Sequence, residues 1–143
     1  MMPDQKTLDP NLIASYQSAN YHVYATPAFT LNIGIASQCL KALFQSAHVK
    51  SACFLTAFNP HSQLLSEEEN KLRNDQLITE LQEYNLQLKS GIGLCQKGEW
   101  LGEESILIFG ISLTVAKALG KKYGQNAIVW CDHDAVPQLV LLV

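Results

Sequence analysis

Hydrophobic positions along this chain fall into short periodic runs divided by turn residues. In "FTLNI", Phe29, Leu31 and Ile33 alternate with Thr30 and Asn32, the two-residue period of a half-exposed strand. "YHVYA" (21–25) precedes it as another strand, and Thr26-Pro27 breaks the two apart. "ACFLTAF" (52–58), "SILIF" (105–109) and "AIVWC" (127–131) are apolar at both parities, as central strands covered on two faces are. "LQLKSGIGL" (86–94) is apolar at one parity only, which predicts a strand nearer an edge, as for 29–33. "QLVLLV" (138–143) reads as the last strand, reached through the turn "CDHDAVP".

Helical spacing fills the intervals. Asp9-Pro10 has the form of an N-cap followed by proline at the first helical position, for a short helix near 10–18. Ser37 caps a helix whose apolar stripe is Cys39, Leu40, Leu43, Phe44 and Ala47. Ser66 and Glu69 have capping-box spacing and open a helix over 67–84, and Ser112 caps a helix reaching about 123. "IGIASQCLKAL" (33–43) and "FGISLTVAKAL" (109–119) echo one another: a glycine ends a strand and a helix follows. Two βαβ-like units would produce this, and so would convergence on common βαβ grammar. The prediction is one α/β domain over 20–143, with a mixed sheet of about six strands and three main helices. An N-terminal segment, 1–19, carries the short helix.

Composition narrows the classes. The chain has 143 residues, 48% hydrophobic and 16% charged, which suits one domain with a sizeable core. Its net charge of −3 lacks a nucleic-acid footprint, and Lys117, Lys121 and Lys122 read as a solvated helix face. No apolar run approaches the ~18 residues of a bilayer span, and no leader pattern opens the chain. A cytoplasmic protein without nucleic-acid or membrane partners is expected. Cys39, Cys53, Cys95 and Cys131 form no C-x-x-C pair and read mostly as buried, reduced thiols. Cys131, His133 and Asp134 in "CDHD" suit a turn better than a metal, so no metal site is expected. No motif names a cofactor.

Candidate chemistry centres on "TAFNPHSQLLSEEENKLR", 56–73. At 100° per residue Asn70, Arg73, Leu77, Leu81 and Tyr84 share one helical stripe. An amide and a guanidinium therefore face the sheet, and arginine is seldom buried without an anion or carboxylate. The preceding loop brings Asn59, His61 and Ser62 to the same rim, past the end of a central strand, where α/β folds bind ligands. Free N–H groups of the helix start add to the attraction for an anion. In "EWLGEES", Glu103 reads as solvated loop. Glu104 is the partner for Arg73, or a general base, provided strands 105–109 and 52–58 run antiparallel. Gln125 and Asn126 in "YGQNA" read as cap, turn or ligand contacts after Gly124.

Taken in order, "FLTAFNPHSQLLSEEENKLR", "GEWLGEESILIFGI" and "YGQNAIVW" make the chain resemble a small bacterial family of domains of unknown function. The pattern is TA-x-NP-x-S, S-x-x-EN-x-x-R, W-x-x-EES and GQNA-x-x-W. The resemblance covers about Tyr21 to Val143 and places Asn59, Ser62, Asn70, Arg73, Glu104, Ser105, Gln125 and Asn126 at the family's polar positions. It implies kinship without an activity. The expectation is a small anionic ligand, a nucleotide or phosphorylated metabolite, held by Asn59, Ser62, Asn70, Arg73, Glu104, Gln125 and Asn126. The rival is a protein-interaction domain in which these residues are an internal clamp. Strands buried on two faces need cover from helices or a second subunit, which leaves room for a homodimer.

Overall fold

The computed structural model describes residues 8–95 and 102–143. Among these residues four helices, α1 (Pro10–Ser18), α2 (Gln38–Ala47), α3 (Glu67–Gln82) and α4 (Leu113–Lys122), accompany seven strands. The strands are β1 (Asn20–Val23), β2 (Phe29–Leu31), β3 (Ala52–Leu55), β4 (Leu88–Leu94), β5 (Glu103–Phe109), β6 (Ala127–Cys131) and β7 (Pro137–Leu141). They form one sheet in the order β2-β1-β4-β5-β3-β6-β7. The α/β class and the number of elements agree with the sequence reading.

Every strand pairing is antiparallel, where a mixed sheet was expected. The reason lies in the connections. Directions alternate across the sheet, so α2, α3 and α4 each join two strands that run the same way, as βαβ grammar requires. In each case at least one opposed strand is interleaved between them. The echo between 33–43 and 109–119 has a local counterpart in the structure. Gly34 and Gly110 both take left-handed backbone, φ 82° and 81°, before helices capped by Ser37 and Ser112.

The sheet is curled. The segment after β2 reaches the opposite edge, where Gly34 N–H donates to the Pro137 carbonyl (2.8 Å) and Ser37 N–H to that of Ala135 (2.9 Å). One face packs Leu40 and Phe44 of α2 against Leu31, Phe54, Leu107 and Phe109. We call it the inner face. The outer face packs Leu77 and Leu81 of α3 and Ala116 and Leu119 of α4 against Cys53, Leu55, Ile106 and Ile108. Fully burying each leucine contributes about 1.5–3 kcal/mol.

Three local expectations need correction. Strand 86–94 lies third from the edge, paired to β1 and β5. At Gly91 and Gly93 its polar parity is covered by aromatic rings instead of water, while Gln87 stays exposed. A Cβ at Gly91 would come within 2.7 Å of the Phe54 ring, and Gly93 lies under Tyr21. Cys39 is exposed, whereas Cys53 and Cys131 are buried as expected. Tyr84 is 45% exposed, because α3 ends at Gln82 and the stripe leaves the sheet there. Trp100, in the "EWLGEES" stretch, lies outside the described residues. Among those described, no helix is long and apolar enough to cross a membrane.

Candidate functional site

At the start of α3 the capping-box spacing delivers the N-cap half, Glu69 N–H donating to Ser66 Oγ (3.1 Å), while the Glu69 carboxylate accepts from the Ser66 hydroxyl (3.0 Å) in place of the backbone N–H. Glu67, Glu68 and Glu69 crowd that first turn, so the helix start already carries its anions. One turn further in, Asn70 holds the loop after β3. Its Oδ1 accepts from Asn59 N–H and its Nδ2 donates to Asn59 Oδ1, both at 2.8 Å. Asn59 Oδ1 also accepts from Leu65 N–H (3.1 Å). Asn74, one turn on, accepts from Ala57 N–H (3.2 Å). Arg73 donates from Nε to the Ala57 carbonyl (2.9 Å) and from Nη2 to the Tyr123 carbonyl. Tyr123 is the C-cap of α4, so the guanidinium meets the negative end of a helix rather than a carboxylate.

These bonds fix an unusual loop. Asn59, His61 and Ser62 all have positive φ, between 46° and 60°, at a cost of about 1–3 kcal/mol each. His61 N–H is tied to the Gly124 carbonyl (2.7 Å), and a Cβ at Gly124 would lie 2.7 Å from the Pro60 side chain. Gln125 Nε2 completes the seam by donating to the Phe58 (3.0 Å) and Tyr123 (3.2 Å) carbonyls.

Beside the seam, on the inner face, a cavity of about 320 Å³ opens under α1. Leu12, Tyr21 and Phe54 give it apolar and aromatic walls, and the last two rings meet edge to face at 5.4 Å. Asn59, Ser62, Gln125, Asn126, Ser105 and Glu103 supply polar groups. Asn126 Nδ2 donates to Ser62 Oγ (2.9 Å) and to Tyr16 Oη (3.4 Å), and the two hydroxyls are 3.0 Å apart. Tyr21 donates its hydroxyl proton to the Tyr16 carbonyl, which ties α1 over the opening, and burial pushes its own ionisation up.

The two glutamates exchange the roles expected of them. Strands 105–109 and 52–58 are antiparallel, as the Glu104 hypothesis needed, yet Glu104 is exposed and forms no ion pair with Arg73. β5 starts two residues earlier than the apolar run suggests. Alternation then puts Glu103 and Ser105 on the inner face and turns Glu104 away. Glu104 contributes its carbonyl, which accepts from Thr56 Oγ1 (2.6 Å). Glu103 Oε2 accepts from Asn59 Nδ2 (2.9 Å). Burial pushes its carboxyl up to about 7 against the pull of that hydrogen bond.

Asn59, Ser62, Gln125 and Asn126 thus line the cavity, whereas Asn70 and Arg73 stand behind it and Glu104 outside. The sheet being antiparallel, its rim here mixes strand starts and ends, so the carboxyl-end rule does not apply. Sequence reasoning missed Glu103, Asn74, Tyr16 and Tyr21. The signal for Asn74 was its place four residues after Asn70, and for Glu103 its shared parity with Ser105. Nothing local pointed to Tyr16, brought in by tertiary packing. Among the described residues no set of histidine, cysteine and carboxylate side chains is grouped to hold a metal.

No curated protein and no solved structure matches the chain. A family model does match residues 55–128, from the end of β3 through the loop, α3, β4, β5 and α4 into β6. By that match, the chain belongs to the family described as Protein of unknown function (DUF3293).

Proposed function

We propose that this domain binds a small molecule in the cavity under α1. The observation that carries the proposal is a walled space of about 320 Å³ on which several side-chain polar groups converge. That volume falls at the lower end of the range for small-molecule pockets, and mostly apolar walls with a few placed polar groups are their usual composition. The strained loop supports the same reading, since Asn59 and Ser62 hold left-handed backbone where they line the space. The expected nucleotide or phosphorylated metabolite fits less well. Glu103 is the one charged side chain lining the cavity among the described residues, and Arg73 is committed to two carbonyls.

The rival, an interaction domain with an internal clamp, draws support from Asn70, Arg73 and Asn74, whose bonds go to the loop and to backbone carbonyls. A fragment library screened by amide chemical shifts separates the two. Saturable shifts confined to Tyr16, Gly93, Glu103, Ser105 and Asn126 support the ligand site. A library that leaves these amides unmoved leaves the interaction domain standing.

A further inference from the structure

We infer that the ligand is a small organic cation, an N–H-bearing amine or amidine on a ring or other apolar body, anchored by the Glu103 carboxylate. This rests on the cavity being a ligand site and names the class of ligand. Glu103 opens β5 opposite Gly93, and both line the cavity beside the Tyr21 and Phe54 rings. Asn59 Nδ2 holds Oε2 in place, and among the described residues none donates to Oε1. An immobilised carboxylate with one oxygen to spare is what an ammonium or amidinium N–H requires.

Among the described residues, the surroundings lack a counter-charge. The described titratable group nearest it is Tyr21 from β1, with Tyr16 from α1 and Cys95 after β4 beside that ring, and β3 and its loop offer the uncharged Thr56, Asn59 and Ser62. None is a cation. Burying a carboxylate without one is costly, and its raised ionisation records that cost. A bound cation removes the penalty. Tyr21 and Phe54 present aromatic surface to the same space, which attracts a cation or stacks on its ring.

Three probes of nearly one shape test this on the full chain: benzamidine, benzamide and benzoate, titrated at pH 8 and followed by amide shifts. Benzamidine is expected to bind at least ~10-fold more tightly than benzamide, with benzoate weakest. Below about pH 7 its affinity should fall by up to ~10-fold per pH unit, as binding must displace the Glu103 proton. Glu103→Gln should abolish the preference for benzamidine. The wild-type pH profile stands as the second measurement if that variant folds poorly. Benzamide equal to benzamidine, with shifts at Gly93 and Asn126, overturns the cation and leaves the ligand site intact. A preference that survives in Glu103→Gln overturns the anchor. Silence from all three probes overturns the inference, and the site falls with it only if the fragment library is silent too.

Discussion

Two polar regions lie side by side, and they treat their hydrogen-bonding capacity in opposite ways. Behind the loop, Asn70, Asn74 and Arg73 bond the backbone around Ala57, Asn59 and Tyr123. In front of it, Glu103 keeps an oxygen to which no described residue donates, and the side chains around it converge on a space. Asn59 belongs to both, bonding Asn70 with one end of its amide and Glu103 with the other. The contrast teaches that polarity on a buried stripe does not by itself mark a site. What separates support from site is where the donors and acceptors go. Here the first region positions the second.

Removing Asn70 should break the contrast most severely. Asn70→Ala strands Asn59 N–H in a buried seam, at about 1–3 kcal/mol, removes one of the two donors to Asn59 Oδ1, which keeps Leu65 N–H, and leaves the space of a buried side chain unfilled. A loss of about 3–5 kcal/mol in urea unfolding is expected, together with loss of any ligand response. A drop under ~1 kcal/mol would show that the loop is held by other contacts.

Arg73→Met should come next. It keeps much of the side chain's packing and strands no acid, but removes two charge-assisted bonds to carbonyls. One of these, from Tyr123, keeps a donor in Gln125. The expected cost is about 2–4 kcal/mol. Ligand affinity should persist in whatever fraction remains folded, because the guanidinium does not line the cavity. Loss of binding with unchanged stability would return Arg73 to the site.

Glu103→Gln should act through pH. The folded carboxyl titrates near 7, above its unfolded value of 4.5, so between the two the native state holds a proton the unfolded chain has released. Stability attributable to this group is full below about pH 4.5 and is lost as pH rises towards 7, by about 2–3 kcal/mol in all. Glutamine cannot ionise and still offers an acceptor to Asn59. The variant should match wild type near pH 4 and exceed it at pH 8. Parallel stability–pH curves for the two proteins would place the titration elsewhere.

Legibility from sequence divides along the same seam. The caps at Asp9, Ser37, Ser66 and Ser112 were readable because each is a local contract between a side chain and an N–H within three residues. The strands at 52–55 and 127–131 were readable because burial on two faces writes both parities apolar. The support region was readable too, from Asn70 on an apolar stripe. The cavity was not, because its floor depends on register. One start position for β5 decides whether Glu103 or Glu104 faces inward, and only the pairing with Gly93 sets it. The place of β4 was hidden for a related reason. A glycine parity looks solvated until Phe54 and Tyr21 are laid over it.

Tyr16→Phe is the mildest change and sharpens the comparison from the cavity side. The hydroxyl sits 3.0 Å from Ser62 Oγ and 3.4 Å from Asn126 Nδ2, yet those two also bond one another at 2.9 Å. Deleting it therefore strands neither, and unfolding stability should fall by no more than about 0.5–1.5 kcal/mol. The Tyr21 tie survives as well, because it uses the Tyr16 carbonyl. If the front region is a ligand site, its groups should tolerate loss better than those behind the loop, and Tyr16→Phe should alter fragment affinity more than stability. Urea unfolding and amide-shift titration on the same sample read both. A stability loss equal to that of Asn70→Ala, with affinity unmoved, would make Tyr16 part of the support and erase the line between the two regions.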